Sequence, residues 1–214
     1  YEHRLGASAA EWAASSDAEM LAVTTDGARV HVIGAHTGSN IAEFGISPES
    51  RIEGCTNVIP FGATSAVEFS PDGRVVAAAL GDGRVHLFDV ASGREMQSPA
   101  PRVLETFGSD CFNYATVGFT PDGQNLIVAT QQASDSPRDW VEDVTIWPLT
   151  GGAPMEAVQG LRNGLGVRLD TDGQRLAVTD FWGFTARVVD LSGSSPDVVL
   201  DHGGRELIDA IFTP

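Results

Sequence analysis

The chain has 214 residues, 42% of them hydrophobic, with 29 acidic against 13 basic side chains and a formal charge of -16 at pH 7. That composition can bury a sizeable core and excludes disordered and fibrous classes, while the acidity disfavours nucleic acid and anionic lipid, which need a basic face. All 13 Lys/Arg positions are Arg, which also excludes lysine Schiff-base chemistry and the phosphate-binding lysine of a P-loop.

In chain order, one unit is written four times. Phe69-Ser70-Pro71-Asp72-Gly73, Phe119-Thr120-Pro121-Asp122-Gly123 and Leu169-Asp170-Thr171-Asp172-Gly173 recur at a spacing of 50 residues (73, 123, 173), the mark of a repeat architecture. An earlier copy is present as well. Residues 12–41 align without a gap onto 67–96, matching Ala22 with Ala77, Arg29-Val30-His31 with Arg84-Val85-His86 and Thr37-Gly38 with Ser92-Gly93. The copies occupy 12–64, 65–114, 115–164 and 165–207, and Ile211-Phe212-Thr213-Pro214 reads as part of the first strand of a fifth, opened by 208–214.

The second copy is the clearest. A strand over 66–69 is expected to meet a tight turn at Pro71-Asp72-Gly73, then a strand over 75–80, a turn at Gly81-Asp82-Gly83, a strand over 85–89 and a turn at Ser92-Gly93 into a fourth strand. Equivalent first turns are expected at Asp17, Asp122 and Asp172, with further strands at 126–130 and 144–147 and at 176–179 and 187–189. The second strand is apolar at successive positions and rich in small residues, as in Ala77-Ala78-Ala79, so both of its faces should be buried between neighbouring sheets. No segment carries helical periodicity. Repeated four-stranded antiparallel units with doubly buried inner strands make an all-β propeller segment of about four blades, plus the start of a fifth.

No apolar run approaches the roughly 20 residues a membrane-spanning helix needs, and nothing resembles a signal peptide, although a start at Tyr1 leaves room for a removed leader. Cys55 and Cys111 sit outside any Cys-x-x-Cys pair and cannot build a four-cysteine zinc site. Two free thiols suit a reducing compartment, hence a cytoplasmic setting; a single disulfide between them is the alternative. Asp170-Thr171-Asp172-Gly173 has the opening of an EF-hand loop but lacks the closing glutamate, and its sister copies are plain turns. His31 and His86 hold equivalent third-strand positions and read as packing residues rather than metal ligands. No Gly-x-Ser-x-Gly elbow is present. No catalytic residue, cofactor or metal is therefore expected.

Phe69-Ser70-Pro71-Asp72-Gly73-Arg74, the Val/Ala strand after it, Gly81-Asp82-Gly83-Arg84-Val85-His86-Leu87-Phe88-Asp89 and Ala91-Ser92-Gly93 together resemble a WD-repeat blade. Phe88-Asp89 stands where that family has its Trp-Asp dipeptide, and Asp82 at its turn aspartate. Ile33-Gly34, Trp147-Pro148 and Val189-Asp190 fill the dipeptide position elsewhere, and no copy has the family's Gly-His pair, so the repeats are degenerate. The resemblance implies a propeller of more blades than four, as part of a longer multidomain chain, with a scaffolding role.

Loop lengths separate the two faces of such a disc. Turns after first and third strands are short, whereas 46–64, 97–114, 158–165 and the insertion 131–143 are long and lie on the opposite face, the better candidate for binding. Adjacent blades there offer Arg138 and Trp140, and Phe181, Trp182 and Phe184, residue types enriched at interface cores. The alternative is that Phe181 and Phe184 fill the gap between blades. The expected function is a non-catalytic scaffold that binds a protein partner or another domain of its own chain. The second expectation is the propeller of a prolyl-oligopeptidase-like or TolB-like protein, with its activity housed elsewhere.

Overall fold

The computed structural model describes residues 9–25, 29–45, 66–79, 84–100, 115–133, 140–162, 164–170, 172–180, 185–201 and 203. They form sixteen strands and no helix. The first sheet holds β1 (Ala9–Ala14), β2 (Met20–Thr25), β3 (Arg29–Gly34) and β4 (Asn40–Gly45); the second holds β5 (Ala66–Phe69), β6 (Val75–Ala79), β7 (Val85–Asp89) and β8 (Arg94–Met96). The third holds β9 (Ala115–Phe119), β10 (Asn125–Ala133), β11 (Trp140–Pro148) and β12 (Met155–Arg162), and the last holds β13 (Gly164–Leu169), β14 (Arg175–Asp180), β15 (Thr185–Asp190) and β16 (Val198–Asp201). Each sheet is an antiparallel meander in which spatial order follows chain order.

The sheets stack face on face in sequence. Ala22, Val30 and Val32 of the first sheet form one core with Val67, Phe69, Val76, Ala78 and Phe88 of the second. Within it Phe44 stacks on Phe88 at 4.7 Å between ring centres, a pair that adds about 0.5–1.5 kcal/mol to its buried area. Ala77, Ala79, Val85 and Leu87 pack instead against Val117, Phe119, Leu126 and Val128 of the third sheet. Ile127, Ala129, Val144, Ile146 and Val158 then meet Val167, Leu176, Val178 and Val189 of the fourth. Neighbours along β6 thus serve different cores, with Ala77 and Ala78 both fully buried. This is why the strand lacks apolar/polar alternation, and it distinguishes four propeller blades from a two-sheet sandwich.

The structure lengthens several expected strands. The third copy's insertion, expected as a loop over 131–143, is largely hairpin: β10 runs on to Ala133, and Gln131, Gln132 and Ala133 pair with Glu142, Val141 and Trp140. The connection expected over 158–165 is strand as well, since Val141 and Glu142 pair with Arg162 and Leu161 of β12, and β13 begins at Gly164. Continued ladder pairing satisfies backbone groups that a polar sequence suggested would face water. The long connections over 46–64 and 101–114, both cysteines and the expected fifth copy lie outside the described residues.

The first turn of each blade is a side-chain network. Ser15, Ser70 and Thr120 each accept the backbone N–H five residues on, at 2.9, 2.9 and 3.0 Å. Each donates its hydroxyl to the aspartate two residues on, Asp17, Asp72 or Asp122, at 2.6, 2.7 and 2.6 Å. That aspartate also accepts the N–H of Glu19, Arg74 or Gln124. In the fourth blade Asp170 replaces the hydroxyl residue, and its carboxylate takes the N–H groups of Gln174 and Arg175 and the Arg175 guanidinium. Burial pushes the Asp170 carboxyl up, but those donors together outweigh it and the pKa is lowered. The EF-hand-like run is thus the same corner with its acceptor changed.

Candidate functional site

Of the five residues expected to form a binding surface, the structure places Trp140, which opens β11 opposite Ala133. Arg138, Phe181, Trp182 and Phe184 lie outside the described residues. The third-strand histidines are satisfied inside their blades: His86 Nδ1 lies 2.7 Å from Glu95 Oε1, and His31 Nε2 lies 3.3 Å from Thr25 Oγ1.

A different site emerges where the first strands converge. β1 runs beside β5 and β5 beside β9. Between their corner ends lies a cavity of about 500 Å³ lined by Ala14, Glu68, Phe69, Gly118, Val167 and Arg168, among others. Ser16 and Pro71 form part of its rim, where the Ser16 hydroxyl donates to the Pro71 carbonyl at 2.7 Å and ties the first corner to the second.

Glu68, Gly118 and Arg168 are one repeat position on three successive blades. They pair with Ala77, Ile127 and Ala177 of the second strands, and the first blade's counterpart is Ala13, opposite Ala22. Burial pushes the half-buried Glu68 carboxyl up, opposed by the nearby Arg168 charge and the Phe69 N–H. Arg168 donates through Nη1 to the Val167 carbonyl at 3.0 Å. Among the described residues, a Cβ built on Gly118 would meet no atom within 4 Å apart from its chain neighbours, and its φ is not positive.

The sequence reading looked to the long loops and passed over this trio. The available signal was the repeat spacing itself, because stacking the copies puts Ala, Glu, Gly and Arg in one column two residues before the corner.

No family model matches the chain, and no curated protein sequence matches it. Its fold is matched by 1263 solved chains, so the likeness identifies an architecture and not a partner. Among them is hydrazine synthase of Kuenenia stuttgartiensis, with a TM-score of 0.60 and 21% sequence identity, covering 84% of this chain and 51% of that one. The chain therefore spans about half the length of that solved chain, and at 21% identity the resemblance concerns the fold alone. Fold and stacking together define a propeller-like all-β domain. Among the described residues no helix is long and apolar enough to cross a membrane.

Proposed function

We propose that the chain is a non-catalytic propeller scaffold of degenerate WD-repeat type, binding a protein partner or another domain of its own chain, in the cytoplasm and without nucleic acid. What supports this is the division of its turns. The first corners spend their hydroxyls and carboxylates on their own backbone, and the third-to-fourth-strand turns at Gly93 and Gly193 are tight, which makes one face rigid. In the sequence the connections of variable length and the aromatics Trp140, Phe181, Trp182 and Phe184 fall outside those corners.

The Ser-Pro-Asp-Gly corner at 70–73 favours a second reading, the propeller of a prolyl-oligopeptidase-like or TolB-like protein. An α/β-hydrolase nucleophile elbow in flanking sequence would decide for it. For the scaffold reading, Trp140→Ala and Trp182→Ala should each weaken partner binding by about 2 kcal/mol or more with melting unchanged. Wild-type affinity in both folded variants would refute the assignment of this surface. A loss of about 3–5 kcal/mol of stability would mean instead that these aromatics fill the space between blades.

A further inference from the structure

We propose that β16 is a docking edge: an extended segment of another protein pairs with it as a fifth strand of the last sheet, and that segment reads basic, apolar, apolar, apolar, basic. The inference goes beyond the scaffold reading, which is tested through Trp140 and Trp182, and either can fail without the other.

The edge itself is the first support. Among the described residues the last strand of each meander has a hydrogen-bonded neighbour on one side only. Such an edge presents a row of unpaired N–H and C=O groups to any other strand, and proteins blunt it with charged side chains. β4 carries Glu43, β8 carries Arg94 and Glu95, and β12 carries Glu156. β16 is not blunted in this way. Val198, Val199 and Leu200 follow one another along it, 52%, 57% and 50% exposed, and its single charge is the terminal Asp201. Two of the three are β-branched, the side-chain type that suits a pleated, half-covered surface.

The flanking charges identify the occupant. The register with β15 sets Leu200 and Val198 beside Ala186 and Val188 on one face, and Asp201 and Val199 beside Thr185 and Arg187 on the other. Asp197, just before the strand, reaches the same Arg187, with Oδ2 3.9 Å from Nη1, so the second face runs Asp197, Val199, Asp201 along the edge. Asp201 Oδ1 accepts the Gly203 N–H at 2.7 Å. Each carboxylate keeps its other oxygen for a cation alongside. Side chains directly across a strand pair interact, opposite charges attracting and like charges repelling. A segment lying antiparallel with its centre at Val199 therefore places its end residues beside Asp201 and Asp197, where bases are favoured, and its three middle residues beside Leu200, Val199 and Val198, where apolar side chains are favoured. The same geometry disfavours a second copy of this chain. Pairing β16 with itself about Val199 would set Asp197 against Asp201 at both ends, between two chains that each carry a formal charge of -16.

The test is isothermal titration of the full chain with two capped peptides, acetyl-Lys-Val-Val-Val-Lys-amide and acetyl-Glu-Val-Val-Val-Glu-amide. Saturable one-to-one binding of the first is expected, with the second at least about tenfold weaker because both end pairs turn from attraction to repulsion. Two N-methylated forms of the basic peptide then test strand pairing itself, one blocked at the N–H groups of its odd-numbered residues and one at those of its even-numbered residues. Alternate residues of a strand point their N–H groups to opposite sides, so one form should bind like the parent and the other should lose at least about tenfold. In the protein, Asp197→Lys with Asp201→Lys should reverse the preference toward the acidic peptide. Failure of the basic peptide to bind, equal binding of the basic and acidic peptides, equal binding of the two methylated forms, or an unchanged preference in the folded double variant would each overturn the proposal. Should the double variant melt lower, the two methylated forms decide, because they are read on the wild-type chain.

Discussion

Replacing Gly173 by Ala tests how the blades are locked together at their corners. Gly173 has φ +68, and a Cβ there would stand 2.7 Å from Cδ and 3.4 Å from Cγ of Pro121, the corner proline of the preceding blade. The left-handed conformation costs a non-glycine residue roughly 1–2 kcal/mol. The clash is with a rigid ring that cannot rotate away, so it behaves as overpacking of a tight interface, at roughly 1–3 kcal/mol more. Gly193 supplies the control: its φ is also +68 but a Cβ there would meet nothing within 4 Å among the described residues beyond its chain neighbours, so Gly193→Ala should show the conformational cost alone. Urea unfolding of both variants should place Gly173→Ala about 2–5 kcal/mol and Gly193→Ala about 1–2 kcal/mol below wild type. Adding Pro121→Ala to Gly173→Ala should recover the steric part. Equal losses in the two single variants would refute the corner-to-corner contact, and with it the stacking of the third blade on the fourth at this end.

At the equivalent corner of the first blade Ala18 holds φ 59 where the other copies have glycine, so Ala18→Gly should stabilise by about 0.5–1 kcal/mol once unfolded-state entropy is counted; an unchanged or lowered urea midpoint would contradict this. Ala78, fully buried between the first two sheets, should tolerate no enlargement: Ala78→Phe is expected to cost about 1–3 kcal/mol or more, read from the same melts. The corner carboxylates set the acid limit. Hydroxyl and backbone donors lower Asp17, Asp72 and Asp122, and the Ser192 hydroxyl and N–H with Ser194 lower Asp190 to about 2. Depressed acids contribute stability that is full above their unfolded value of roughly 4 and lost as pH falls through the folded one, so midpoints should decline between about pH 4 and pH 2. Asp72→Asn with Asp122→Asn should flatten that decline, and a profile identical to wild type would exclude these groups as its source.

The sequence by itself determined the blade. Ser-x-Asp-Gly-type corners specify a tight turn locally, because side chain, backbone N–H and positive φ all lie within six residues. The unbroken apolar run of Val76 to Ala79 is explicable only if both faces are covered, so double burial was legible without coordinates. Strand ends were not legible in the third copy. Gln131, Gln132 and Glu142 are polar and read as loop residues in the sequence, and only the partner strand decides that they continue the ladder. The axial site lay further out of reach. Glu68, Gly118 and Arg168 are 50 residues apart and read singly as a surface acid, a spacer and a surface base. Each belongs to a different sheet and none contacts the others through the chain. Only the convergence of the first strands about a common axis, set by the stacking of whole blades, brings an acid, a glycine and a base to one cavity.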